Sequence, residues 1–286
     1  MRTALIFADR HRVHAAHLAV LAVLSLAALI VLESQVGAVA VQAGAFVVGG
    51  LILLIVRLDR LPRFPPEGVA IVCLAALAAP ILTGPDVQGA RRWLALGPML
   101  VQPAALVLPV ALVALCTIRQ GVVRGLLGLG AAGLLALQPD GGGLLAWTLG
   151  IGGVALARRD IPSGVVAGLS GALAIWVLTR PDALPVVPYV ERIAQTTVAQ
   201  LPALGLAVWM GLFSLPVPFA IAAMRPQGGR GQAIALAGLW TGWLVANLVG
   251  NYPAPVLGLG ASMVAGWAIS LALLDRALEK TEAGAP

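Results

Sequence analysis

Two adjacent arginines and a tryptophan, Arg91, Arg92 and Trp93, stand in a glycine-bounded stretch, Gly89–Gly97 (GARRWLALG), between long apolar runs. A guanidinium fork binds phosphate oxygens bidentately, so this pair suits a diphosphate headgroup. It equally suits interfacial anchoring, with Trp93 in an aromatic belt and the arginines on lipid phosphate in general. A second stretch, Gln138–Gly143 (QPDGGG), sets one acid, Asp140, between Gln138-Pro139 and three glycines. Such backbone suits a chain that lines a cavity, and an acid at a membrane edge points to function. The alternative is an acid that caps the next helix. A third stretch, Asn251–Ser262 (NYPAPVLGLGAS), opens a later apolar run with two prolines and two glycines. It is either an irregular, polar-backbone entry to that run or a simple loop.

The elements that must position these residues are membrane helices. The chain has 286 residues, 60% hydrophobic and only 10% charged, with a mean hydropathy of +0.97. A soluble domain carries about 25% charged residues, so a water-soluble enzyme and a disordered chain are both excluded. A span needs about 20 apolar residues. Reading apolar runs between charges and turn residues predicts ten spans, at 14–33, 37–56, 67–83, 98–117, 122–137, 142–157, 163–179, 199–223, 232–250 and 255–274. The fifth and sixth are short and glycine-rich, which suits half-spans or tilted helices. Cationic residues collect on the cytoplasmic side of short loops. With the N-terminus inside, only Arg91, Arg92, Arg180 and Arg192 of the 18 basic residues fall outside, against fourteen inside. Both termini are thus expected in the cytoplasm, and residues 1–286 form a single integral-membrane domain. The four outside arginines break the bias, which is where function is to be sought.

Other features read blandly. A net charge of +6 is spread singly or in pairs, with no basic stripe for nucleic acid. Only Lys280 is lysine, a usage typical of GC-rich bacterial genomes. The segment Arg57–Pro66 is a stiff basic loop suited to anionic headgroups. Cys73 and Cys116 lie inside apolar runs and behave as small hydrophobes. His11, His14 and His17 are three apart, but no carboxylate or cysteine follows at ligand spacing, so no metal and no cofactor are expected. Gly164 and Gly168 have the spacing of close helix packing. Trp240, Trp243 and Trp267 are packing or belt residues.

The three stretches, in this order, resemble the SEDS family of cell-wall proteins, the RodA/FtsW type. That family's first signature is Gly-Ala-(Arg or Gln)-Arg-Trp, then Gly after three residues, then Gln-Pro-Ser-Glu after four more and a lysine. Gly89, Ala90, Arg91, Arg92, Trp93, Gly97, Gln102 and Pro103 match it. Gln138, Pro139, Asp140 and Gly142 match the second signature; Pro253, Pro255, Gly260 and Ser262 match the third. The departures are specific. Ala104 and Ala105 replace Ser-Glu, Leu108 replaces the lysine, and Gly143 replaces a threonine. Gly258 and Leu259 replace the Ser-Tyr of the third signature. The loop before the eighth span is short, Arg180–Gln200. It ends in Leu201-Pro202-Ala203-Leu204, where the family carries its essential aspartate. The nearest carboxylates are Asp182 and Glu191.

The resemblance implies an all-α, SEDS-like membrane protein of about ten transmembrane helices in a bacterial inner membrane. It implies work on cell shape, cell division or peptidoglycan assembly, on a polyprenyl-diphosphate-linked precursor, beside a class B transpeptidase. Glycosyl transfer needs a base at the acceptor hydroxyl and cations at the leaving diphosphate. Arg91, Arg92, Trp93, Gln102 and Gln138 are the expected substrate-binding residues, and Glu191 and Asp140 the candidate bases. With the family's lysine and aspartate missing, three readings stay open. They are a binding protein with degraded polymerase chemistry, an active glycosyltransferase, and a transporter of unrelated substrate.

Overall fold

The computed structural model describes residues 2–55, 64–97, 99–180, 186–225 and 228–282. Side chains 2–10, 55 and 279–282 lie outside that description, as do Arg57, Arg60, Arg63 and Asp182. Among the described residues the fold is all-α but for one hairpin and an isolated bridge between Val87 and Ala90. Its helices are α1 (Arg2–Val31), α2 (Val36–Ile55), α3 (Pro66–Thr83), α4 (Pro103–Thr117), α5 (Gly121–Leu137), α6 (Gly141–Arg158) and α7 (Ile161–Leu178). After them come α8 (Ile193–Gln200), α9 (Pro202–Ser214), α10 (Val217–Met224), α11 (Arg230–Val249) and α12 (Ala261–Glu282).

The ten predicted apolar runs overlap helices, although residues 99–102 of the fourth and 255–260 of the tenth are not helical. Seven segments among the described residues are long and apolar enough to cross a membrane, and α4 and α5 are shorter apolar helices. The fifth and sixth runs are unbroken helices of 17 and 18 residues. At 1.5 Å per residue each is about 26 Å long. The molecule is therefore a polytopic helical membrane protein.

Sequence sets most of the helix ends. Proline opens α3, α4, α7, α9 and α10 at the first or second position, where a missing N–H removes nothing. Asp140 and Asp160 cap α6 and α7. The eighth run differs from its prediction: Leu215-Pro216 divides it into α9 and α10, because proline cannot continue the ladder. Side chains close the gap. Trp267 donates its indole N–H to the Leu215 carbonyl at 3.1 Å, and Ser214 Oγ lies 2.7 Å from His17 Nε2. The fourth run also starts later than predicted. Residues 94–101 form the two-stranded hairpin β1 (Leu94–Leu96) and β2 (Met99–Val101), with Leu94 opposite Val101.

A tight seam joins α6 to α11. A Cβ at Gly238 would lie 2.2 Å from the Leu149 carbonyl oxygen, and one at Gly242 would lie 2.4 Å from Ala146 Cα. Only glycine lets these two backbones approach so closely. Gly164 and Gly168, expected to pack closely, do not: a Cβ at either meets nothing within 4 Å. Trp240, Trp243 and Trp267 are fully buried packing residues. Near the start of α1, His11 and His14 each place Nδ1 3.3 Å from Asp275 Oδ2 on α12. The carboxylate that the local spacing lacked thus arrives from a distant helix.

Candidate functional site

Successive helices α4, α5 and α6 alternate in direction. Gln102, Gln138 and Asp140 therefore share one end of the bundle, while Thr117, Gly121 and Arg158 share the other. Each end carries a buried polar cluster.

The first cluster is built on Asp140, which is 1% exposed. Its Oδ1 accepts the Gly143 N–H at 2.9 Å and its Oδ2 accepts Gln102 Nε2 at 3.2 Å. The carboxylate is the N-cap of α6, where the helix dipole favours negative charge. Gln102 in turn donates its N–H to Ser262 Oγ at 2.9 Å. This ties the entry of α4 to the entry of α12. Arg92, 5% exposed, donates Nε to the Gln138 carbonyl at 3.3 Å and a terminal amino group to the Pro139 carbonyl. Its guanidinium carbon also lies 5.8 Å from the ring centre of Tyr252 and 6.0 Å from that of Trp93, within cation–π range. Gln138 Nε2 donates to the Leu77 carbonyl on α3.

The glycines after Asp140 make room for this assembly. A Cβ on Gly141 would sit 2.3 Å from the Tyr252 hydroxyl, one on Gly142 2.7 Å from Tyr252 Cδ1, and one on Gly143 2.6 Å from Asp140 Oδ2. The QPDGGG run is thus the imprint of a buried tyrosine ring and a carboxylate.

The two adjacent arginines part company. Arg92 turns inward, whereas Arg91 is exposed and holds Asp86 at 3.3 Å. The same Asp86 accepts the Gly89 N–H at 2.7 Å. Glu191 is half-buried and accepts the Val187 N–H at 2.7 Å. Its carbonyl accepts Asn247 Nδ2 at 2.8 Å, and that amide also reaches the Tyr252 carbonyl at 2.8 Å. Backbone bonds from Ala254 to Val190 (2.9 Å) and from Leu259 to Tyr189 (3.0 Å) clamp the Glu191 loop onto residues 251–259. Of the residues singled out in the sequence, Arg92, Gln102, Gln138 and Asp140 form one connected cluster, with Trp93 against Arg92. Glu191 joins its edge through its backbone, and Arg91 stands outside it. Tyr252 and Asn247 were not singled out individually. The signal for Tyr252 was the glycine run itself, which needs a large neighbour.

At the opposite end, the guanidinium of buried Arg124 pairs with Asp160 and reaches Ser163 Oγ at 2.9 Å and the Ile118 carbonyl at 2.6 Å. Arg158 donates to the carbonyls of Cys116 (3.1 Å) and Ile118 (2.8 Å). Partial burial pushes the Asp160 carboxyl up. The Ser163 N–H and hydroxyl with Arg124 and Arg158 pull it further down, and it ends below the usual carboxylate range.

The fold is similar to that of Rod shape determining protein RodA of Thermus thermophilus. That likeness covers 92% of this chain and 95% of RodA, at a TM-score of 0.66 and 24% identity. An aspartate-to-alanine mutant of the same RodA matches at 0.66 over 92% and 96% of the two chains, also at 24% identity. A chain of a peptidoglycan synthase complex that coordinates polymerization and crosslinking matches at 0.59 over 91% and 97%, again at 24% identity. No family model and no curated protein matches the sequence.

Proposed function

We propose that this chain is a divergent, shortened SEDS-type protein of a bacterial inner membrane. It holds a polyprenyl-diphosphate-linked cell-wall precursor at the Arg92–Asp140 end of the bundle, with its polymerase chemistry degraded or lost. One observation carries this reading: three segments far apart in the chain, around Arg92, Asp140 and Tyr252–Ser262, meet in one buried polar cluster within a RodA-like fold. Arg91, exposed beside that cluster, is a cation with reach to a headgroup phosphate. Trp93 and Gln138 shape the wall, and Arg92, Gln102 and Asp140 hold it rigid. Both Asp140 oxygens are engaged, and Ala203 and Leu204 stand where the family keeps its aspartate. These features favour binding over polymerisation. By analogy with the synthase complex, the partner is a class B transpeptidase or another envelope-assembly protein.

The test is binding of purified lipid-linked disaccharide-peptide precursor to the protein in nanodiscs. Wild type should bind, Arg91→Ala should weaken binding roughly tenfold through loss of a charge-assisted phosphate contact, and Arg92→Ala with Asp140→Asn should abolish it. Equal binding by all three ends the proposal. An active glycosyltransferase is the second reading. It is favoured by Glu191, whose half-exposed carboxylate accepts the Val187 N–H while its backbone carbonyl is tied to that of Tyr252 through Asn247. It requires glycan product from wild type and none from Glu191→Gln.

A further inference from the structure

Midway along α6 and toward its Arg158 end, far from Asp140, the surface is indented. A groove of about 980 Å³ runs between α6, α7 and α11. Its floor is glycine, at Gly152, Gly153 and Gly238, and its walls are apolar, with Leu149, Leu156 and Ile161 among them. Leu156 and Ile161 are 73% and 81% exposed, an apolar surface that suits contact with lipid. The groove exists because α6 and α11 touch backbone to backbone at Gly238, leaving no side chains to fill the seam above it.

One end of the groove is charged. Arg159 and Asp160 both line it. Asp160 is already neutralised: one oxygen takes the Ser163 N–H at 2.9 Å and the other is paired with Arg124. Arg158 is committed to the carbonyls of Cys116 and Ile118. Arg159 is different. It is exposed and caps α6 in the left-handed conformation through its backbone N–H, while its guanidinium makes no hydrogen bond among the described residues. The mouth of an apolar groove therefore presents one uncommitted cation at the level where a helix of this length ends and headgroups begin.

We propose that this groove is a binding site for a single anionic glycerophospholipid of the leaflet opposite the Asp140 cluster, with an acyl chain on the glycine floor and the phosphate on Arg159. The charge of the mouth selects the headgroup, and the apolar walls select a chain over a soluble anion. The proposal stands apart from precursor binding, since it uses no residue of that site.

The full-length protein is reconstituted in phosphatidylcholine nanodiscs containing a fifth phosphatidylglycerol, and retained lipids are counted by native mass spectrometry. Wild type should retain one phosphatidylglycerol. Arg159→Gln should lower its retention roughly fivefold, as expected for one arginine at an anionic headgroup. Arg119→Gln, an exposed arginine at the same end of the bundle, should leave it unchanged. Gly152→Phe should abolish retention by filling the groove, and it is tolerated because a Cβ there meets nothing within 4 Å. Gly164→Phe, equally open but off the groove, is its control. The proposal is overturned if Arg159→Gln and Arg119→Gln behave alike, if Gly152→Phe retains the lipid, or if added undecaprenyl phosphate displaces it at equal concentration.

Discussion

Tyr252 and the glycines that face it decide whether the site can form at all. The nearest atom to a Cβ on Gly141 is the Tyr252 hydroxyl, at 2.3 Å; next come Tyr252 Cζ at 3.1 Å and Leu178 Cδ2 at 3.2 Å. Gly141→Ala should therefore cost about 1–3 kcal/mol through overpacking, read as lost thermal stability in detergent. Tyr252→Phe removes the closest atom and should restore most of that loss when combined with Gly141→Ala. It should rescue Gly142→Ala much less, because there the clash is with ring carbons, at 2.7 and 3.0 Å. Equal rescue of both would mean that the ring is not where the structure puts it. Asp140 shows how far a single residue can be read in advance. Its type and place in QPDGGG left a helix cap and a cavity acid equally open. The structure shows the cap, through Gly143, and adds to it a buried anchor for Gln102. The second contact spans 38 residues and has no local signal.

The same contrast between local and distant determinants governs the helices. Helix ends obey rules that act within one turn: Asp160 with Pro162 opens α7 and Pro216 ends α9, although the apolar run alone carried the eighth span through that proline. Pairings between helices obey no such local rule. Gly164 and Gly168 had the right spacing for close packing yet face open space, whereas the true seam uses Gly238 and Gly242. Spacing shows which faces are smooth, but only a partner decides which smooth face is used. Gly238→Ala should thus push α11 from the Leu149 backbone and cost on the order of 1–3 kcal/mol. Gly152→Ala, in open space on the same seam, should be neutral or stabilising by up to about 1 kcal/mol from helix propensity. Thermal unfolding of the two variants separates the effects. The α6–α7 turn makes a pH prediction. Asp160 is held below the ordinary carboxylate range, so its contribution is complete above about pH 4, the unfolded value, and is lost as pH falls through the lower folded value. Asp160→Asn keeps a capping side chain but leaves Arg124 without its counter-charge. It should cost on the order of 2 kcal/mol at neutral pH, and the gap from wild type should close under strong acid. A gap that widened on acidification would reverse the assignment.

At the scale of the whole molecule, two charged clusters at opposite ends of one bundle make the membrane orientation testable. Arg92 and Asp140 lie at the end where α4 and α6 begin, and Arg124, Arg158 and Asp160 at the end where they finish. A 15-residue α4 separates the two by about 22 Å of helix. The bias of arginines toward one set of loops assigns the second end to the cytoplasm. Leu96 on the hairpin and Arg119 after α4 are both exposed, and they bracket that one helix. The two native cysteines are buried and are replaced by alanine, after which Leu96→Cys and Arg119→Cys are introduced separately. In intact cells an impermeant maleimide should label Leu96→Cys and spare Arg119→Cys until the membrane is opened. The reverse pattern would turn the molecule over and move the proposed precursor site to the cytoplasmic face, away from cell-wall assembly. Labelling of both from one side would show that α4 does not cross the bilayer, and the two clusters would then have no membrane between them. The expected pattern alone places the Arg92–Asp140 cluster where a lipid-linked precursor displayed outside the cell can reach it.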